Sequence, residues 1–179
     1  MKYIFTLLLL PAFVAYAQTP KKATGTQAAW KTLKFDNYSI QYPSTWMPDT
    51  SRQMGTKFIL LSPVESPDDK FRENVNLVTE NIAGRHIDLN TYAEAAKEQL
   101  KARLQVTLLE GKKVKKGEGE YYKMIYSADQ SNYHLKFQQY YWVTGGTAYV
   151  LTFTAEINKF AGFKPTADKI QDSFKFHEF

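Results

Sequence analysis

Hydrophobic and polar positions alternate in short segments over much of the chain after residue 29, which is the period of a β-strand with one buried face. Asp36 and Asn37, a turn-prone pair, separate the segments KTLKF and NYSIQY and predict a first hairpin. Pro43 cannot donate to a strand ladder, so it ends the second arm of that hairpin. Two further strands are predicted at residues 57–63 and 73–82, joined by an exposed loop, VESPDDKFR.

The alternation returns for roughly fifty residues in the second half of the chain. The segments QVTLLEGKKVKK and GEYYKMIYSAD predict one hairpin, and NYHLKFQQYYWV and TAYVLTFTAEI predict another. Gly145 and Gly146 join the arms of the second hairpin and can supply the positive φ angles of a tight turn.

Two segments instead have the spacing of amphipathic helices. In residues 88–104 the apolar positions are Tyr92, Ala96, Leu100 and Leu104. Asp88 or Thr91 can cap this helix, and Thr91 with Glu94 matches a capping box.

The second helix is predicted near the C-terminus. Its apolar stripe comprises Phe163, Ala167, Ile170 and Phe174, and Pro165 suits a first helical turn. Strands, a helix, more strands and a second helix, without regular βαβ alternation, predict an α+β fold with an antiparallel sheet.

The first residues have the pattern of an export signal. Lys2 precedes an apolar run that ends in Ala15, Tyr16 and Ala17, the small-x-small pattern at which signal peptidase cleaves. The run is shorter than the ~20 residues of a spanning helix. We therefore expect a signal peptide at residues 1–17, a flexible polar leader at residues 18–29, and a single domain at residues 30–179.

The composition restricts both the cellular compartment expected for the protein and the class of partner that it can bind. The chain has no cysteine, which excludes a disulfide framework, a thiolate metal site and a lipid-bearing cysteine at the cleavage point. The expected product is a soluble periplasmic or secreted protein that is not a lipoprotein. Its net charge of +5 is too mild for the dense basic stripe of a nucleic-acid-binding protein.

Two segments resemble a known family. Residues 43–46, PSTW, follow a tyrosine-rich strand as in the Y-P-x-x-W entry of PsbP-like domains, and residues 147–176 resemble the last strand, terminal helix and SF-x-F ending of that family. The resemblance implies an α/β/α sandwich with a central antiparallel sheet and two main helices. It also implies an accessory or binding role without catalysis, and among the branches of the family the export signal suits bacterial envelope proteins.

No motif for catalysis, cofactor binding or metal binding stands out. The histidines are His86, His134 and His177, and their spacing matches no metal-binding motif. His86 is expected in a loop before the first helix, His134 at a half-exposed strand position, and His177 in a frayed tail. The carboxylate pair Asp68 and Asp69 lies in a loop without signs of burial. We expect no cofactor and no metal.

Two non-catalytic functions remain open. The first is docking on another envelope protein or an anionic envelope component through a basic patch at the hairpin end, formed by Lys112, Lys113, Lys115 and Lys116; the alternative for these lysines is a solvated tip that discourages edge-to-edge association. The second is binding of a small ligand or glycan on an aromatic surface. The candidate residues for that surface are Trp46, Tyr140, Tyr141 and Trp142, with Tyr121 and Tyr122 nearby. Core packing explains Trp46 more simply, because Pro43 turns the chain just before it.

Overall fold

The structure is a computed structural model that describes residues 29–103, 106–117 and 119–177 of the 179-residue chain. The strands are β1 (Trp30–Lys34), β2 (Tyr38–Pro43), β3 (Met47–Asp49), β4 (Thr56–Leu61), β5 (Asn74–Asn81), β6 (Val106–Lys116), β7 (Gly119–Gln130), β8 (Tyr133–Thr144), β9 (Thr147–Glu156) and β10 (Lys175–Phe176). The helices are α1 (Leu89–Arg103) and α2 (Phe160–Asp172), with a short 3-10 turn at Gln53–Gly55. The predicted signal peptide at residues 1–17, the predicted leader up to residue 28, and Leu104 lie outside the described residues.

The strands form two antiparallel sheets. The large sheet has the order β3-β4-β5-β9-β8-β7-β6, and the small sheet has the order β1-β2-β10. The predicted hairpins β1–β2, β6–β7 and β8–β9 are confirmed by their pairings. The chain therefore has the α+β fold with an antiparallel sheet that the alternation predicts.

Side-chain alternation on the large sheet creates two separate cores. On β9, Tyr149, Leu151 and Phe153 pack with α2 and the small sheet, whereas Ala148 and Val150 pack with α1. The two helices thus cover opposite faces of the large sheet, and the small sheet lies beside α2. This arrangement is the sandwich of two helical layers around a central sheet that the family resemblance implies, with a second small sheet added to one layer.

Helix α1 begins where the sequence indicates. The Oδ1 atom of Asp88 accepts a hydrogen bond of 2.7 Å from the backbone N–H of Thr91, so Asp88 rather than Thr91 caps the helix. This hydrogen bond holds the pKa of the Asp88 carboxyl below its usual value. Tyr92, Ala96 and Leu100 are buried on one side, as the spacing predicts.

Helix α2 begins earlier than the position of Pro165 predicts. The helix starts at Phe160, whose ring packs 5.1 Å from that of Phe153, so Pro165 lies inside the helix and not in its first turn. Burial of the Phe160 ring favours the earlier helix start. The cost is one backbone hydrogen bond inside the helix, because Pro165 has no N–H to donate. Ala167 and Ile170 are buried as predicted, and Phe174 is buried just beyond the last helical residue.

The turn between β8 and β9 requires glycine. Gly145 and Gly146 have φ angles of 56° and 70°, in the left-handed region that the sequence predicts for this turn. A Cβ atom at Gly146 would lie 3.1 Å from the Cβ of Ala83. The carbonyl of Gly146 also accepts a hydrogen bond of 2.8 Å from the backbone N–H of Ile82, which joins the turn to the end of β5.

The loop between β4 and β5 is more buried than the sequence suggests. The Asp69 side chain is only 2% exposed, and its carboxylate accepts a hydrogen bond of 2.9 Å from Nζ of Lys159. Burial alone would raise the pKa of Asp69, but the Lys159 ammonium and backbone N–H donors outweigh it and lower that pKa. Phe71 is buried as well, so the prediction of an exposed loop holds for its outer part and is wrong for Asp69 and Phe71.

One carboxyl beneath this loop is fully buried. Glu73 has no exposed surface, and its Oε2 accepts a long hydrogen bond of 3.4 Å from the hydroxyl of Ser62. Its other oxygen, Oε1, has no hydrogen-bond partner among the described residues. Burial raises the pKa of Glu73 from 4.5 to about 7.

Neither α1 nor α2, the helices in the described part of the chain, is long and apolar enough to cross a membrane.

Candidate functional site

The four lysines of the predicted basic patch lie on β6, the strand at one edge of the large sheet. Lys112 pairs with Lys123, and Lys116 with Gly119, while Lys113 and Lys115 occupy the alternate positions. Because side chains alternate along a strand, Lys112 and Lys116 lie on the α2 side of the sheet and the other two on the α1 side. The structure therefore places these lysines along an exposed edge and not in one flat patch.

Carboxylates neutralise several of these lysines locally. The Nζ atom of Lys112 lies 3.0 Å from a carboxylate oxygen of Glu110, and that of Lys113 lies 3.0 Å from one of Glu120. Lys116 donates a hydrogen bond of 2.5 Å to the backbone carbonyl of Asp172. Exposed pairs of this kind contribute at most ~1 kcal/mol each, so the side chains can exchange partners at low cost.

The other half of β6 is apolar and exposed. Leu108 and Leu109 are 37% and 52% exposed, respectively. Leu109 falls at a register shift between Leu108 and Glu110, which is a β-bulge on the edge strand. The outer edge of β6 thus presents two leucines followed by four lysines.

A cavity of about 180 Å³ lies near the end of the same hairpin, between the sheet and the C-terminal end of α2. Its aromatic lining residues are Tyr121, Tyr140, Trp142, Phe174 and Phe176. Its polar and charged lining residues are Lys116, Glu120, Gln171 and Asp172, and Gly119 completes the wall.

The aromatic side chains form one continuous cluster. The rings of Tyr121 and Tyr140 stack with centroids 4.5 Å apart. The Trp142 ring lies 5.5 Å from that of Tyr121 and 5.0 Å from that of Phe174. Alternation on β7 and β8 places the first three of these residues on one face, and the chain after α2 adds the phenylalanines from above.

The end of α2 is held rigidly at this cavity. The side-chain amide of Gln171 donates hydrogen bonds of 3.1 Å to the carbonyls of Gln138 and Leu151, and its oxygen accepts one of 2.7 Å from the Gln138 side chain. Gln171 is 1% exposed. These contacts tie the helix to β8 and β9, so the cavity wall is preformed.

The phenol groups in the cavity remain protonated over the physiological pH range. Burial is the main cause that raises the pKa of Tyr140 far above its usual value, and Tyr121 adds to the effect. Burial also raises the pKa of Tyr121. Both hydroxyls can therefore donate as well as accept hydrogen bonds.

The structure brings together only part of the predicted aromatic surface. Tyr140 and Trp142 line the cavity, and Tyr121 joins them. Tyr141 has no exposed surface and packs in the α1 core, because it occupies the alternate position on β8. Trp46 is 5% exposed and meets the ring of Phe163 edge-on at 6.4 Å, so it packs against α2 after the turn at Pro43.

The histidines do not form a metal site. Within residues 29–103, 106–117 and 119–177, no group of three or more His, Cys, Asp or Glu side chains is placed to hold a metal ion. His86 lies in an exposed turn before α1. The backbone N–H of His177 donates to the carbonyl of Asn37 at 3.0 Å, so the predicted fraying of the tail does not begin at this residue.

A wider depression of about 390 Å³ lies at the far end of β7 and β8. Its lining includes Val106, Asp129, His134 and Ile157. Nδ1 of His134 lies 2.5 Å from a carboxylate oxygen of Asp129, and the two side chains are 77% and 69% exposed. His134 is thus more exposed than the half-exposed position that the sequence predicts.

Comparison with known proteins identifies the fold. The profile of the family described as PsbP-like protein matches residues 16–176 of the chain. None of the curated proteins compared with the chain matches it.

Three solved structures share the fold at low sequence identity. The cyanobacterial PsbP (CyanoP) of Synechocystis sp. PCC 6803 is 12% identical, with a TM-score of 0.58, over 89% of this chain and 98% of that one. A Pseudomonas aeruginosa protein of unknown function, PA94, described as a putative regulator, is 10% identical, with a TM-score of 0.61, over 84% and 99%. LpqN of Mycobacterium tuberculosis, described as involved in cell envelope biogenesis, is 13% identical, with a TM-score of 0.57, over 86% and 87%.

These likenesses support the fold, and the family match covers both cores, the edge strand β6 and the aromatic cavity. The chain belongs to the PsbP-like protein family.

Proposed function

We propose that this protein is an exported, non-catalytic accessory module that docks on an acidic protein of the cell envelope through the edge strand β6. The proposal rests chiefly on the exposed edge of β6, on which leucines and lysines follow one another. The export signal predicted at residues 1–17 supports the envelope location, as does the fold shared with LpqN.

An edge strand is a template for pairing with another chain. β6 has a neighbour, β7, on one side, and no strand of the described residues pairs with its other side. A partner segment can add there as a further strand through backbone hydrogen bonds. The lysines disfavour pairing with a second copy of the same basic edge, but they favour an acidic segment.

The leucines argue for a protein partner over an anionic polymer. A polyanion would match the lysines but would leave Leu108 and Leu109 in water, whereas a protein segment with acidic and apolar side chains would match both halves of β6. Electrostatic attraction would mainly accelerate the encounter, and it is screened beyond ~8 Å at ~0.15 M salt.

Replacing all four lysines, Lys112, Lys113, Lys115 and Lys116, with serine tests this proposal. The side chains are exposed and their ion pairs are weak, so the melting temperature should remain nearly unchanged. Retention of an envelope protein from extract should fall, and the remaining binding should lose its dependence on salt. The retained component is to be identified by mass spectrometry, with protease treatment of the extract to distinguish a protein from a polymer.

The matched control removes four lysines elsewhere. Lys31, Lys34, Lys101 and Lys175 are exposed and belong to elements other than β6, and their replacement by serine changes the net charge equally. This variant should retain the partner. Equal loss of binding in both variants would indicate a general effect of charge, and unchanged retention in the β6 variant at low and high salt would contradict docking through β6.

Export has its own test. The pattern of Lys2, the apolar run and Ala15-Tyr16-Ala17 predicts that the mature protein begins at Gln18. Intact-mass measurement of the protein from the producing cell's envelope or medium should give the mass of residues 18–179. A mass that includes residues 1–17 would contradict cleavage.

A further inference from the structure

A second site adjoins the docking surface of β6 at Lys116, in the aromatic cavity beneath the end of α2. Its volume of about 180 Å³ limits the ligand to one ring, since a cavity of ~150 Å³ can hold benzene and a water molecule occupies ~30 Å³. Tyr121 and Tyr140 are 7% and 3% exposed and stack on each other, so Trp142, which is only partly buried, offers the accessible flat surface to such a ring.

The charged groups at the cavity restrict the chemical class of ring that can bind. The side chains of Asp172 and Lys116 are 49% and 53% exposed, respectively, whereas the Glu120 carboxylate pairs with Lys113 on the α1 side of the sheet. An aromatic or aliphatic ligand would cover these polar groups without offering them hydrogen bonds, which is unfavourable. A ligand with a strong charge of either sign would meet groups of the same sign, because both signs are present.

A neutral sugar ring offers both an apolar face for the aromatic side chain and hydroxyl groups for the charged side chains. Its C–H face can stack on the Trp142 ring, and its hydroxyl groups can donate to the carboxylate of Asp172 and accept from the ammonium of Lys116. We propose that this cavity binds a single neutral hexopyranose ring, the terminal residue of an oligosaccharide.

The position of Asp172 supports a role in binding. It is the last residue of α2, where the partial negative charge of the helix end disfavours a carboxylate. Its Oδ1 lies 3.7 Å from Nζ of Lys116, which offsets this repulsion only in part because both side chains are about half exposed. Stability of the helix therefore does not account for a carboxylate at this point, whereas hydrogen bonding to a hydroxyl-bearing ligand does.

The rigid wall supports the same conclusion. Gln171 is fixed by its hydrogen bonds to β8 and β9, and Tyr121 and Tyr140 are stacked. A preformed cavity binds its ligand without the cost of ordering the side chains first.

The test uses the mature chain and four neutral trisaccharides, namely maltotriose, cellotriose, α-mannotriose and β-galactotriose, with phenol and a trigalacturonate as comparison ligands. Saturation-transfer NMR should show at least one neutral trisaccharide bound in the millimolar range or tighter, with the strongest signal on a terminal ring. Binding of phenol or trigalacturonate without any neutral trisaccharide would overturn the proposal, as would binding of none of these ligands.

Three variants locate the site. Asp172→Asn should weaken trisaccharide binding by about tenfold while the melting temperature stays equal or rises, which a purely structural role would not produce. Trp142→Leu should weaken binding at least as much through loss of the stacking surface. Trp30→Leu removes a 40% exposed tryptophan on β1, outside the cavity, and should leave binding unchanged.

If Trp142→Leu disturbs the fold, Asp172→Asn alone decides the outcome, because its side chain is half exposed and outside both cores. Undiminished trisaccharide binding by Asp172→Asn would overturn the proposal. Because these variants leave Leu108, Leu109 and all lysines of β6 intact, failure of the sugar site is distinguishable from failure of docking through β6.

Discussion

Replacing Leu100 with alanine is expected to lower the free energy of unfolding by about 2–5 kcal/mol. Leu100 is 1% exposed and packs in the core between α1 and the large sheet, together with residues such as Tyr126 and Tyr141. Alanine would leave a cavity there, because the rigid sheet on one side and α1 on the other cannot close around the lost atoms. Chemical denaturation monitored by circular dichroism measures the change.

The matched control on the same helix is Glu98→Ala. The Glu98 side chain is 66% exposed and makes an ion pair of 2.9 Å with Lys101, which lies on the outer face as well. Loss of such a pair should change the free energy of unfolding by less than ~1 kcal/mol. A larger loss for Glu98→Ala than for Leu100→Ala would contradict the orientation of α1 on the sheet.

Replacing Glu73 with glutamine should change how the stability of the protein depends on pH. Burial raises the pKa of Glu73 to about 7 in the folded chain, whereas its ordinary value is 4.5. Below about pH 4.5 both states hold the proton and the carboxyl imposes no penalty. As the pH rises from there through about 7, the unfolded chain ionises more readily than the folded one, so the wild-type protein loses stability.

Glutamine is neutral at every pH and similar in shape, so Glu73→Gln should remove this loss. The variant should match the wild type near pH 4 and exceed it by about 2–3 kcal/mol near pH 8, since one pKa unit corresponds to ~1.4 kcal/mol. Denaturation at both pH values measures the difference. Glu94→Gln, at a 55% exposed position on α1, is the control and should keep the wild-type dependence. A Glu73→Gln variant no more stable than the wild type near pH 8 would show that this carboxyl is not held in its neutral form.

Local patterns predict most of the elements of the fold because each of them has one buried face. Tyr92, Ala96 and Leu100 indicate α1 by their spacing, and Gly145 and Gly146 indicate the β8–β9 turn by their freedom to adopt positive φ. Contacts between residues distant in sequence cannot be predicted from these local patterns. For example, the alternation of apolar and polar residues within each strand does not show that β1, β2 and β10 form a separate small sheet.

Two predictions are wrong because a tertiary contact outweighs the local pattern. Pro165 suits a first helical turn, but with Phe160 buried against Phe153 the helix starts at Phe160 and Pro165 lies inside it. Asp69 has the polar neighbours of an exposed loop. It is nevertheless buried, because it forms an ion pair with Lys159, which is 90 residues away along the chain. The second error concerns a contact between residues far apart in sequence, whereas the first concerns near neighbours on either side of the segment that joins β9 to α2.

The candidate site was only partly accessible from the sequence for a similar reason. Strand alternation could separate Tyr140 and Trp142 from Tyr141, because neighbouring positions on β8 face opposite sides. It could not show that Phe174, Phe176 and Asp172 would close a cavity over them, because these residues come from the end of α2 and the segment after it. The sequence feature that could have indicated the cavity is the high density of aromatic residues both in β8 and after α2.

The pairing of β2 with β10 has a consequence for how the chain matures during synthesis. Lys175 lies opposite Ser39, and the hydroxyl of Ser173 accepts a hydrogen bond of 2.8 Å from the backbone N–H of Gln41. The β1–β2 hairpin is synthesised long before β10, the strand that completes its sheet. Contacts of such long sequence separation form slowly, so the small sheet is completed only after residues 173–176 have been synthesised. One side of β2 therefore stays unpaired until the segment after α2 folds against it.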